Sequence, residues 1–490
     1  MMNDIQTSYI LLPLLLPLLT AIMNLVTGKS ENVRDSFSVI GSVATFLAVA
    51  KMLPHILSGG TYSLNLFNIY EGINVILRVD GMSMIFALVS SFLWILASFY
   101  CVGYMRGLNE HAQTRFYVCY SATIFGAMGV AFSGSLISLY LFYELVSIFT
   151  YPLVMHHQDA EAYDGSRKYI SYLMLTSKVM LLPALAIIYV LTGTLDFAGN
   201  MTTGIFSPDV NQTIIAVVYF LSFFGYAKAG IMPLHNWLPS AMVAPTPVSA
   251  LLHAVAVVKV GVFSVCRVML FVFGIDLLGR TGLGITSAYI ASFTILMGSI
   301  IALTKTNLKA RLAYSTISQL SYIILGVAML TPSAVTGGLI HIPNHAFSKI
   351  TLFFAAGAIF VAHNKKEIPD LDGIGYKMPF TMAAFGLASL SMIGVPPVAG
   401  FVSKWYLALG SMEMSSIGLL VVLLASSLLN AGYFVPIFIR AFFPKGGVAK
   451  RVKMAEASPF MVVPLFLTAV MSVVFGFYPD IWLKLIEVVK

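Results

Sequence analysis

Charge is what this sequence has least of. Asp, Glu, Lys and Arg together make up 10% of its 490 residues, against about 25% in an ordinary soluble domain. A soluble chain of this length would divide into about three domains joined by charged linkers, and no such linker occurs. Cysteine is nearly absent. Cys101, Cys119 and Cys266 stand apart, which argues against a disulfide framework and a Cys-type zinc site. Neither a Cys cluster, a haem pair nor a GxGxxG loop is found, so the chain itself is expected to transfer no electrons and to hold no cofactor. No Lys or Arg precedes Lys29, so the basic start of a cleavable signal is missing.

What is present is apolar surface. Apolar types make up 59% of the chain and the mean hydropathy is +0.90. Apolar runs fall near residues 9–27, 37–55, 81–104, 116–132, 135–156, 169–192, 213–232, 247–273, 283–304, 312–331, 336–362, 380–410, 416–442 and 457–478. Each is long enough to cross a hydrocarbon core of about 30 Å. Only helices and closed barrels satisfy the backbone in lipid, and the runs lack strand alternation. The expected fold is therefore an all-α polytopic membrane protein with about 14 transmembrane helices. Residues 60–80 alternate and carry turn residues, which predicts a small extramembrane hairpin. The chain then divides into residues 1–115, with three helices and the hairpin, a core at 116–442, and a loop with helix 14 at 443–490.

The basic residues test this map. Odd-numbered connections carry 17: Lys29, Arg34, Arg106, Arg115, Arg167, Lys168, Lys305, Lys309, Arg311, Lys365, Lys366, Lys377, Arg440, Lys445, Lys450, Arg451 and Lys453. Even-numbered connections carry 2, Arg78 and Arg280. The positive-inside rule puts the odd loops in the cytoplasm and both termini outside. The same bias accounts for the net charge of +8, so no nucleic-acid partner is expected.

Lys51 and the C-terminal Lys484 and Lys490 sit near helix ends or in the tail. Six bases remain inside spans: Lys178, Lys228, Lys259, Arg267, Lys349 and Lys404. Of the acids, only Glu144 lies deep in a run. A charge at the bilayer centre costs at least about 2.5–3.5 kcal/mol and marks function by default. Burial disfavours the charged form of an amine, so a lysine held this way is suited to exchange protons near neutral pH.

Several of these residues fall on interrupted or striped helices. Lys228 is followed by Gly230, Pro233, Pro239, Pro245 and Pro247, which predicts a broken seventh helix whose free backbone groups line a cavity. His253 and Lys259 in the eighth run stand about 9 Å apart along the axis and about 120° apart in rotation, suiting successive steps of a relay. His341, His345 and Lys349 form an i, i+4, i+8 stripe about 12 Å long, and histidine titrates near neutral pH. Two such histidines could hold a metal, but no nearby acid or Cys completes the set, so no metal is expected. Lys404 follows Gly394, Pro396, Pro397 and Gly400, predicting a second broken helix, the twelfth. Gly-x-x-Pro thus occurs at Gly230–Pro233 and again at Gly394–Pro397, a pointer to repeated halves. Arg267 reads as a side chain snorkelling to an interface. Lys178 reads equally as a relay member and as the partner of Glu144.

These segments resemble the antiporter-like subunits shared by respiratory complex I, membrane-bound hydrogenases and multisubunit Mrp cation/proton antiporters. The resemblance spans roughly residues 80–440 and keeps its order: FYELVS, YAKAGIMPLHNWLPSAMVAPTPVSALLHA, VVKVGVF, KARLAYSTISQL, NHAFSKITLFFAAG and GVPPVAGFVSKWYL. It implies 14 helices, two inverted five-helix repeats (helices 4–8 and 9–13), broken helices 7 and 12, and a central axis of charged residues that passes protons. On matching positions, the axis comprises Glu144, Lys228, His253, Lys259, His341, His345, Lys349 and Lys404. A lysine at Lys404, where some complex I members carry glutamate, favours the Mrp-D-like and other lysine-bearing types. Lys178 matches no family position.

The expected function is a proton-translocating membrane subunit of a multisubunit cation/proton antiporter in the cell membrane, bedded in lipid beside other membrane subunits. In that reading Glu144 and Lys228 form a switchable ion pair, and whether Na⁺ crosses this chain stays open. The alternative is a proton-pumping subunit of a complex I-like NADH:quinone oxidoreductase or membrane-bound hydrogenase. A scaffold with fossil charges and a standalone carrier are further readings. Six bases against one acid also imply neutral lysines and carboxylates supplied by neighbouring subunits.

Overall fold

A computed structural model describes residues 4–444 and 453–489. Lys445, Lys450, Arg451 and Lys490 of the charge count lie outside these residues. Three strands, β1 (Asp4–Gln6), β2 (Thr61–Tyr70) and β3 (Ile73–Val79), form one sheet. β2 and β3 make the expected antiparallel hairpin, with Tyr62 opposite Val79 and Tyr70 opposite Ile73. β1 adds in parallel beside β2.

The rest is helical. In order come α1 (Leu11–Val26), α2 (Glu31–Leu57), α3 (Gly81–Gly107), α4 (Gln113–Ala131), α5 (Leu136–Val154), α6 (Ala160–Thr176), α7 (Leu182–Thr192) and α8 (Gln212–Gly225). There follow α9 (Trp237–Ser240), α10 (Thr246–Ala250), α11 (Val257–Val268), α12 (Ile275–Arg280), α13 (Leu283–Thr304), α14 (Leu308–Ala328) and α15 (Pro332–His363). The last are α16 (Ile374–Lys377), α17 (Pro379–Ile393), α18 (Ala399–Glu413), α19 (Ile417–Phe442), α20 (Pro459–Phe477) and α21 (Asp480–Glu487). Among the described residues, ten helices are long and apolar enough to cross a membrane. α15 runs through the middle, packed on α3, α14, α17, α18 and α20. The segment Thr246–Phe273 is wholly enclosed.

Same-parity connections meet at the same end of the bundle. Even-numbered connections bridge at Leu77–Ser133 and Ser135–Asp196, and the Leu195 amide donates to Gly72 O at 2.9 Å. At the opposite end the Leu308 amide donates to Lys366 O at 3.0 Å, and Arg115 donates to His156 O at 2.8 Å.

The two expected helix breaks are present and share a construction. α8 stops at Gly225, a tight turn covers Ala227–Ala229, and Gly230 ends it at φ +71°. α17 stops at Ile393 and Gly394 follows at φ +90°. Both glycines occupy the left-handed region that a residue with a Cβ rarely adopts. The Met232–Pro233 and Pro396–Pro397 peptide bonds are cis. Carbonyls freed at the first break are met by side chains, as where Trp237 Nε1 donates to Ala227 O at 3.0 Å.

Two bases sit differently from the sequence reading. Arg267 does not snorkel. It is 2% exposed and grips Asp80 with both terminal nitrogens, at 2.6 and 2.9 Å. A carboxylate at the head of α3 offers the planar guanidinium a bidentate partner inside the protein, which open interface would not. Arg34, read as a loop residue, lies in the first turn of α2, buried against Asp35, which Arg106 also binds.

Candidate functional site

Each candidate is placed by a local device. Glu144 lies midway along α5, and its Oε2 accepts from Lys178 Nζ at 3.0 Å. Its Oε1 is buried without a partner. Lys178 sits on a π-helical turn, Ser177–Leu181, between α6 and α7. Such single-turn bulges concentrate at functional sites. The ion pair of Glu144 is therefore with Lys178, and Lys228 takes another role. Lys228 Nζ donates to the Tyr143 carbonyl at 2.7 Å and lies 3.1 Å from the centre of the Tyr143 ring. The break in the helix turns Lys228 toward the α5 backbone instead of the carboxylate beside it. The two lysines thus hold adjacent residues, Tyr143 and Glu144.

α11 approaches this turn without a side chain in between. A Cβ on Gly261 would lie 2.2 Å from the Ala229 nitrogen and 2.3 Å from the Lys228 carbonyl carbon. Two residues earlier on α11, Lys259 Nζ stands 2.7 Å from His345 Nδ1. His345 Nε2 has no hydrogen-bond partner, and its ring centre lies 5.9 Å from that of His341. His341 is held at both nitrogens, by Ser403 Oγ at 2.7 Å and Gln319 Oε1 at 3.0 Å. Gln319 Nε2 in turn donates to Met392 O at 3.4 Å. Lys404 Nζ donates to that same carbonyl at 3.0 Å, to Ile393 O at 2.8 Å and to Ser427 Oγ at 3.1 Å. The carbonyls are those released by the second helix break.

The other two candidates stand beside this line. Lys349 donates to Leu312 O at 3.2 Å and Ser315 Oγ at 2.5 Å, one turn beyond His345 on α15. His253 lies on the π turn Leu251–Val255, its ring 4.6 Å from that of Phe353, with neither nitrogen bonded. Among the described residues, no carboxylate lies within 4.0 Å of Lys228, Lys259, Lys349 or Lys404. Backbone carbonyls and hydroxyls solvate Lys228, Lys349 and Lys404 instead, and the His345 ring meets Lys259. The structure so sets Lys259, His345, His341 and Lys404 in one line, with no hydrogen bond between the two rings, and groups Glu144, Lys178 and Lys228. Gln319, Ser403 and Tyr143 were not legible as site residues: neutral polar groups in a span carry no charge penalty to single them out, although they lie within the quoted KARLAYSTISQL, GVPPVAGFVSKWYL and FYELVS.

At the odd-loop end a cavity of about 850 Å³ opens among Glu110, His157, Asp159, Asp164, Lys309 and Lys366, reaching inward to Thr246. Burial pushes the Glu110 carboxyl up, but His156 and His157 beside it outweigh that and bring it down to about 2. The carboxylate is therefore ionised at neutral pH.

Residues 133–430 match the family described as NADH:quinone oxidoreductase/Mrp antiporter, transmembrane. The chain is 32% identical over 423 residues to NADH-quinone oxidoreductase subunit N of Desulforudis audaxviator, covering 82% of each. It is 26% identical to the D-type chain of the Na⁺/H⁺ antiporter of Bacillus subtilis, covering 96% of this chain and 94% of that one. Two longer relatives are covered only to 36% and 48% of their length. A chain of the membrane-bound sulfane sulfur reductase, an archaeal respiratory membrane complex, superposes with a TM-score of 0.85 at 25% identity, over 99% of this chain and 98% of that one.

Proposed function

The chain belongs to the NADH:quinone oxidoreductase/Mrp antiporter family of multi-pass membrane proteins, and from that premise we propose that it is the D-type, proton-translocating subunit of a multisubunit cation/proton antiporter. The observation that carries the proposal is the enclosed run from Lys259 through His345, His341 and Gln319 to Lys404. Near full-length likeness to a D-type antiporter chain supports the type. The fourteen apolar runs are fourteen crossings, with helices 4–8 and 9–13 as inverted repeats. The matched left-handed glycines at Gly230 and Gly394 support that reading. Residues 116–442 are the translocating core, the odd connections face the cytoplasm, and other membrane subunits surround it.

In this mechanism Glu144 is the switch. Paired with Lys178 it leaves Lys228 on a neutral carbonyl. An opposite charge within about 4–6 Å favours the protonated amine, so swinging Glu144 between the two lysines loads one and releases the other. The released proton passes from Lys259 through the two imidazoles to Lys404, which exchanges with one side of the membrane. The sites titrate as a set. His253 and Lys349 flank the line and supply protons to it. In proteoliposomes holding the assembled complex, Glu144→Gln and Lys228→Ala should each abolish cation-dependent proton flux while co-purification of the other subunits persists. Full flux in either variant overturns the relay.

A second reading places the same relay in an electron-driven complex, favoured by the 32% identity to a quinone oxidoreductase subunit. Co-purification with iron–sulfur subunits separates the two.

A further inference from the structure

The α3–α4 and α5–α6 connections bring together three side chains that the relay does not use. Glu110, His111 and His156 each present one ligand atom, all within 4.8 Å of one another. His156 is 0% exposed, and neither of its ring nitrogens has a hydrogen-bond partner. Its Nε2 instead faces Glu110 Oε2 at 3.6 Å. An enclosed imidazole with both nitrogens unbonded is costly. A ligand at the centre of the cluster removes that cost. We propose that Glu110, His111 and His156 form a binding site for a divalent d-block cation of the zinc class, at the rim of the odd-end cavity.

The geometry needs little change. Zinc bonds of about 2.0–2.1 Å to imidazole and about 2.0–2.2 Å to carboxylate set tetrahedral ligand atoms about 3.3–3.5 Å apart. Glu110 and His156 already come close to that spacing. His111 is exposed and closes the remaining gap by rotating its ring. His157 Nε2 stands 3.4 Å from the other oxygen, Oε1, where it orients the carboxylate as outer-shell partners of metal ligands do. Arg115, the nearby cation, is turned to the His156 carbonyl and leaves the ring free. Two imidazoles and one carboxylate select zinc-like ions over Na⁺, K⁺ or Mg²⁺, which prefer all-oxygen sites. The site is therefore distinct from any path for a transported alkali cation. It also clips together two connections that lie far apart in sequence.

Calorimetry of Zn²⁺ binding to the purified full chain or its complex, in detergent and without transport, tests this apart from the proposed function. One saturable site is expected, insensitive to excess Na⁺ or Mg²⁺. Loss of an outer-shell partner alone weakens metal binding about 10–100-fold, so His111→Gln, His156→Gln and Glu110→Gln should each weaken it at least tenfold. His55→Gln, at the opposite end of the bundle beside the hairpin, where its Nε2 stands 3.3 Å from Thr61 O, should leave it unchanged. Because His111 is exposed, its variant keeps the fold, and an unchanged elution profile verifies this. No saturable Zn²⁺ binding, or binding retained in His111→Gln or His156→Gln, or binding lost in His55→Gln, overturns the proposal.

Discussion

At the scale of single residues, the sequence exposes charge and hides its solvation. Lys228, Lys259, Lys349 and Lys404 stand out because an ionisable group in a span is expensive. Their hydrogen-bonding partners do not stand out, since a carbonyl freed by a helix break has no letter of its own. Gln319 is the clearest case: it links the His341 ring to the carbonyl that Lys404 also uses. Gln319→Leu leaves a buried imidazole nitrogen unmatched, at a cost of about 1–3 kcal/mol. Proton flux measured with a pH-sensitive dye in proteoliposomes should fall sharply, and Gln319→Glu, which keeps the acceptor, should retain more of it. Equal flux in the two variants would show that Gln319 is not part of the path. The pairing of Glu144 was half legible. Two lysines competed for it, and only the placement of the π turn decides for Lys178.

At the scale of elements, apolar runs and Gly-Pro punctuation located the helices and both breaks, because length in a bilayer and a missing amide leave direct marks. The short strand β1 and the π turns leave none: β1 depends on a partner far along the chain, and a π turn differs from an α turn by one hydrogen-bond step. Close helix approach is equally silent until the backbones are placed. Gly261 is where α11 touches the turn bearing Lys228. Gly261→Leu would push backbone against backbone, so a destabilisation of about 1–3 kcal/mol or more is expected, with loss of flux. Gly418→Ala in α19, where nothing lies within 4 Å, should shift stability by no more than about 0.5 kcal/mol. Thermal unfolding of the two variants in the same detergent makes the comparison, and similar melting would contradict the tight α11 contact.

At the scale of the whole molecule, Asp80 and Arg267 lock the end of the hairpin and the head of α3 to α11. Burial alone raises the Asp80 carboxyl, but the Arg267 guanidinium overrides this, with help from Arg78 and the Ser83 amide, and brings it to about 2 from an ordinary 3.8. A depressed acid stabilises the fold above its unfolded value and loses that contribution as pH falls from about 3.8 through about 2. Asp80→Asn, which strands a buried guanidinium, should therefore cost about 3–5 kcal/mol at neutral pH. The gap from wild type should be flat above about pH 5 and should narrow below about pH 4. A gap that widens on acidification would reverse the sign and discard the account. The two ends of the molecule also differ in how far solvent conducts into them. The strands and backbone bridges lie at the even end, whereas the 850 Å³ cavity leaves room for water and ions to reach inward from the odd end as far as Thr246. The membrane voltage then falls over a thinner layer than the bilayer itself. The electric field on the enclosed lysines is correspondingly steeper. If protons follow the proposed relay, one crossing that short layer experiences most of the approximately 2.3 kcal/mol that each 100 mV supplies, so the rate through this chain should respond to voltage as strongly as to pH.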